Sequence, residues 1–146
     1  MTGYNGTELS RVEHIDHTAD VGIVVRAATL PELFEAAAEG MFGFIVDSDS
    51  VASRAWVERR VEADDLPGLL VAWLNDLLAM LAADGFVPKT FVVDEVGERR
   101  LRATVHGEPV DVARHRFRLD VKAATYHMLD VRQTDGEWTA RVIFDV

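Results

Sequence analysis

Eight large apolar residues, Leu66, Leu69, Leu70, Trp73, Leu74, Leu77, Leu78 and Leu81, recur at the i, i+3, i+4, i+7 spacing of a helix buried along one broad face. A stripe this wide must be covered by another layer of the fold. Asp64-Asp65 ahead of it puts carboxylate at the positive end of the helix, and Gly85 behind it is a stop signal. Downstream the apolar period changes to two. Phe86–Val96, 99–106, 120–133 and 138–146 read as strands, with turns at Gly97-Glu98, Gly107-Glu108-Pro109 and Asp135-Gly136. Asp111 to His115 suits one helical turn.

Upstream, residues 11–27 read as two short strands bent at the Asp16–Asp20 cluster, with Val21, Ile23 and Val25 on one face. Thr29-Leu30-Pro31-Glu32 carries a cap, a first-turn proline and a reciprocating glutamate, so a second helix is expected over 30–44, burying Leu33, Phe34, Ala37, Met41 and Phe44. Asp47-Ser48-Asp49-Ser50 is a polar surface loop, and 55–63 a strand anchored by Trp56 and Val57. The expected fold is α+β, in the order β-β-α-β-α-β-β-β-β. Two helices pack on one face of a mostly antiparallel or mixed β-sheet. Leu30-Pro31-x-Leu33-Phe34 is echoed by Leu66-Pro67-x-Leu69-Leu70, a faint sign of internal duplication. Residues 1–10 read as a flexible leader and 11–146 as a single domain.

Bulk chemistry excludes several classes. With 25 acidic and 15 basic residues the formal net charge is −10, which disfavours direct binding to nucleic acid. Arg99, Arg100, Arg102, Arg114, Arg116 and Arg118 are the local exception, better read as solvated strand positions than as a phosphate patch. The absence of cysteine removes disulfides, thiolate zinc sites and cysteine nucleophiles, and suits a cytoplasmic protein. No apolar run is read as a membrane span. Serines outside any G-x-S-x-G setting, scattered glycines and histidines without H-x-x-x-H spacing leave no catalytic residue to name.

Oxygen ligation of a divalent cation fares better. Asp20 and Asp145, from opposite ends of the chain, are candidate ligands, and the α-carboxylate of Val146 is a third. The competing reading is that Asp16 and Asp20 cap turns while Asp145 is solvated.

The chain resembles the archease family in several blocks. These are Asp16-His17-Thr18-Ala19-Asp20-Val21, Leu30-Pro31-Glu32-Leu33-Phe34-Glu35-Ala36-Ala37-Ala38, Asp64-Asp65-Leu66, Gly107-Glu108, Val121-Lys122-Ala123-Ala124-Thr125-Tyr126-His127 and Ile143-Phe144-Asp145-Val146. Ala124 departs from the bulkier β-branched residue expected there. The resemblance implies an accessory factor of an RtcB-type RNA ligase rather than an enzyme. Such a factor promotes ligase guanylylation and multiple turnover in tRNA splicing or RNA repair. It also implies a divalent cation, calcium or magnesium with manganese a further option, on Asp20, Asp145 and Val146. Lys122 is then a ligase-facing candidate, and Asp16, His17 and Thr18 are candidates for orienting Asp20. The alternative is a general chaperone or modulator of nucleic-acid-processing enzymes with no metal-dependent role.

Overall fold

The structure, a computed structural model, describes residues 11–16 and 20–146; the expected leader lies outside that range. The elements are β1 (Val12–Asp16), β2 (Asp20–Ala27), α1 (Leu30–Ile45), a 3-10 turn (Ser48–Ser50), β3 (Ala55–Glu62), α2 (Leu66–Asp84), β4 (Phe86–Val96), β5 (Arg100–Pro109), β6 (Ala123–Ala124), β7 (Asp130–Thr134) and β8 (Glu137–Asp145). The α+β class and the expected order hold. The stretch 120–133, expected as one strand, is split into β6 and β7 by a turn in which Met128 takes a positive φ of 55°.

The strands form two antiparallel sheets rather than one. In the larger, β2 lies between β1 and β8, and β6 and β7 both pair with β8; the smaller has the order β3-β5-β4. α1 packs against β2 and β4, and α2 against β3, β4 and β6, so each helix touches both sheets. That explains why α1 buries residues around most of its circumference, from Leu33 and Phe34 to Ala38 and Ile45. α2 is long and apolar enough to cross a membrane by length and composition, yet half of its most apolar stretch is buried inside this fold.

Both helix starts use the expected chemistry. Thr29 Oγ1 accepts from the Glu32 N–H at 3.3 Å, capping the helix, and donates to Glu32 Oε1 at 3.1 Å, so the glutamate meets the cap through its hydroxyl. Asp65 Oδ1 accepts from the Gly68 N–H at 2.8 Å. α2 ends on Gly85 in the left-handed region, with φ 63°. The two helices are joined where Trp73 Nε1–H donates to the Phe34 carbonyl at 3.0 Å.

Two expectations change. Trp56 is 64% exposed and does not anchor β3; only Val61 of that strand is buried. Its register opposite His106 sends it to the sheet's outer face. Gly107-Glu108-Pro109 is not a turn but the end of β5, paired with β4. A Cβ at Gly107 would lie 2.0 Å from the Val87 carbonyl oxygen, so that glycine serves a close strand approach.

Candidate functional site

β8 carries an unbroken buried run, Val142, Ile143 and Phe144, and then Asp145 emerges exposed. In the β2–β8 ladder Asp20 is directly opposite Asp145, Val21 opposite Phe144 and Gly22 opposite Ile143. Directly opposite residues project to the same face, so the two aspartates share one side of the sheet. On the other flank of β8, Ala123 pairs with Asp145, and the Lys122 N–H donates to the Asp145 carbonyl at 2.8 Å. Three segments far apart in sequence, at 20, 122–123 and 145–146, therefore converge at one end of the larger sheet.

Gly22 makes this arrangement fit. A Cβ there would lie 2.7 Å from the Val142 carbonyl oxygen and 2.8 Å from Ile143 Cδ1, so the Ile143 side chain occupies the space that a larger residue would need. Ile143 is thereby only 5% exposed although it points away from the helices.

Among the described residues no ion pair or side-chain hydrogen bond reaches the Asp20 or Asp145 carboxylates, and the Lys122 side chain is exposed and unpaired. Two like charges directly opposite on adjacent strands repel. Hard oxygen donors carrying uncompensated negative charge are what calcium, magnesium or manganese bind. The donor set present fits such a cation. Among the described residues no three His, Asp or Glu side chains cluster to hold a metal, so ligation here would draw on main-chain oxygen as well as the two aspartates. Of the other sequence-derived candidates, Asp16 ends β1 with its backbone paired to Val21, and His17 and Thr18 lie outside the described residues.

Other polar side chains have structural occupations. The His14 ring stacks on Phe44 at 3.8 Å, and its Nε2 bonds the Gly40 carbonyl at 3.2 Å; burial lowers its pKa against the raising effect of that carbonyl. Asp47 caps the Asp49 N–H and pairs with Arg116 at 2.6 Å, and the Arg116 hydrogen bond leads in lowering its pKa. The arginine group is dispersed: Arg102 pairs with Asp94 and Glu95, Arg114 with Glu108, and Arg118 donates to the Gly43 carbonyl.

Glu108, read from the sequence as part of a turn, instead forms the centre of a buried polar cluster. Glu108 is 1% exposed and accepts two bonds from Arg114, at 2.7 and 2.9 Å, and one from the Ala52 N–H at 2.7 Å. The Asp111 N–H donates to His115 Nδ1, which leaves the proton on Nε2 to donate to Glu108 at 2.8 Å. Arg114 foremost, then Ala52 and His115, hold the Glu108 carboxyl well below the usual carboxylate range. The cluster ties the end of β5 to the flanking loops. A second unforeseen residue is Asn75, a lone amide in the most apolar helix, whose side chain bonds the Ala124 backbone.

Comparison with known proteins covers nearly the whole chain. The Archease protein family (MTH1598/TM1083) matches residues 12–146. The protein archease of Methanosarcina mazei is 35% identical over 140 residues, covering 93% of this chain and 96% of that protein. The one from Pyrococcus abyssi is 37% identical over 142 residues, covering 94% and 100%. The solution structure of Methanobacterium thermoautotrophicum protein 1598 superposes with a TM-score of 0.79 at 32% identity, covering 94% of this chain and 99% of that one. A crystal structure from Thermotoga maritima, described as an archease and possible chaperone, shares the fold with a TM-score of 0.65 at 20% identity, covering 90% and 94%.

Proposed function

The chain belongs to the archease family, and from that premise we propose that it is an accessory factor of an RtcB-type RNA ligase. In this reading it promotes guanylylation of the ligase and multiple turnover in tRNA splicing or RNA repair, in the cytoplasm, and catalyses no reaction of its own. The observation that carries the reading is the register that sets Asp20 opposite Asp145, with the Lys122 backbone bonded to the same residue. Asp20, Asp145 and the Val146 α-carboxylate would hold a divalent cation. Bound there, it supplies positive charge able to bind phosphate oxygens. Lys122, whose backbone is bonded to Asp145, adds an exposed ammonium as a point charge for a phosphate or an acidic partner group. The acidic surface suits docking on a basic, RNA-handling protein rather than on RNA itself.

The test is turnover of an RtcB-type ligase on cleaved RNA with GTP and metal, with and without this protein and its Asp20→Ala variant. Stimulation beyond a single round that Asp20→Ala loses is the expected result. Stimulation that survives the substitution removes the cation site from the reading. No stimulation of the ligase from the same organism refutes the accessory role and favours the alternative, a chaperone without a metal-dependent function.

A further inference from the structure

β6 is only two residues long, too short to hold itself by strand pairing alone. Yet it aligns the chain terminus, because Ala123 lies opposite Asp145 and the Lys122 N–H bonds the Asp145 carbonyl. Its support comes from the helix layer. Asn75 of α2 turns its side-chain amide onto one backbone unit: Nδ2 donates to the Ala124 carbonyl at 3.2 Å, and Oδ1 accepts from the Ala124 N–H at 2.8 Å. One side chain thus satisfies both groups that a further strand would have satisfied. The remaining anchor is Thr125, whose N–H and hydroxyl both bond the Ile143 carbonyl, at 3.0 and 2.8 Å. That bond fixes the chain after β6, whereas before it the Lys122 N–H bonds Asp145 and the Val121 side chain is buried in the core.

We infer that Asn75 is a positioning residue of the acidic pair: by clamping Ala124 it holds Lys122 and Ala123 against β8, and so pins the Asp145 end of a strand whose register opposite Asp20 is set by its buried neighbours. The consequence for a cation rests on the functional reading above; the clamp on the terminus does not.

Three variants separate the effects. Asn75→Leu keeps a side chain of the same branched shape, somewhat larger, without the two bonds. Asn75→Asp keeps only the acceptor for the Ala124 N–H. Arg59→Ala removes the ion pairs to Asp76 and Asp84 on the same helix without touching β6. The readouts are amide hydrogen exchange at Lys122 and calcium affinity by calorimetry. Lys122 is diagnostic because its N–H partner is Asp145, not Asn75. Asn75→Leu is expected to speed Lys122 exchange and weaken calcium binding by about tenfold, the scale on which residues that orient ligands act. Asn75→Asp should fall between, and Arg59→Ala should change neither beyond its effect on global stability. Unchanged Lys122 protection in Asn75→Leu overturns the inference, as does an equal loss in Arg59→Ala. Wild-type protein that takes up no calcium refutes the cation reading, while faster Lys122 exchange in Asn75→Leu still upholds the clamp.

Discussion

Replacing Asp145 with asparagine should stabilise the cation-free protein and remove its response to calcium. Asp20 and Asp145 are directly opposite on β2 and β8, and no cation partner reaches either among the described residues. Opposed Cβ atoms on antiparallel strands are roughly 5 Å apart. At that distance, with Asp145 exposed, water-like screening leaves a repulsion of about 0.5–1 kcal/mol. For a chain of 146 residues, relief of that strain raises Tm by about 1–4 °C. The gain should shrink between about 0.01 M and about 1 M salt, as the screening length falls from roughly 30 to roughly 3 Å. Calcium acts in the opposite sense. At about 100 times Kd it adds about 2.7 kcal/mol to wild type, roughly 5–11 °C in Tm, and should add little to the variant. Scanning calorimetry with EDTA or excess calcium, at both salt concentrations, reads all of this. A simple loss of a native contact lowers Tm under every condition. If Asp145→Asn does that, or if both proteins respond equally to calcium, the electrostatic argument fails.

Three other perturbations test separate parts of the structure. Gly22→Ala should cost about 1–3 kcal/mol in urea unfolding, because its Cβ meets backbone at Val142, which cannot swing aside; an unchanged midpoint refutes the packing argument. Glu108 has a depressed pKa, so its contribution to stability is complete above its unfolded value of 4.5 and is lost as pH falls through the folded one. Glu108→Gln should therefore be less stable than wild type at neutral pH and show a shallower decline below about pH 4.5; parallel stability–pH curves contradict this. Deleting Val146 moves the terminal carboxylate onto Asp145 and should weaken calcium binding and ligase stimulation while leaving Tm in EDTA unchanged. Full calcium affinity in the truncated protein removes the chain end from the site.

Local chemistry was legible and non-local choices were not. Thr29 with Glu32, Asp65 with Gly68, and Gly85 act within one helical turn, so their residue types suffice to place α1 and α2. Asp20 and Asp145 were also readable, because each sits at the end of an apolar strand run. Alternation gives a strand two faces but does not say which neighbour it pairs with, so the division into two sheets was hidden. Trp56 reads as an anchor until its register with His106 is known. The break between β6 and β7 lacks any glycine or proline; Met128 takes the left-handed conformation itself. Glu108 lies in a turn-like tripeptide, and only the return of Arg114 and His115 makes its burial tolerable. Asn75 is one amide in a leucine-rich helix, and nothing in its neighbours points to a strand that begins 48 residues later at Ala123.

The acidic pair is held in place by its apolar neighbours. Opposed carboxylates disfavour their own register, so the ladder must be fixed elsewhere. Phe144 is fully buried and meets the Phe44 ring edge-on at 6.3 Å, and Val21 opposite it is buried too. A slip of one residue would carry Phe144 to the outer face and Asp145 inward. Burying one phenylalanine side chain is worth roughly 1.5–3 kcal/mol, more than the repulsion estimated for the aspartates. Ile143, seated over Gly22, opposes the same slip from the outer face. The run Ile143-Phe144-Asp145 therefore works as a unit, in which two buried side chains set the register and the third, kept exposed by that register, carries the charge to Asp20.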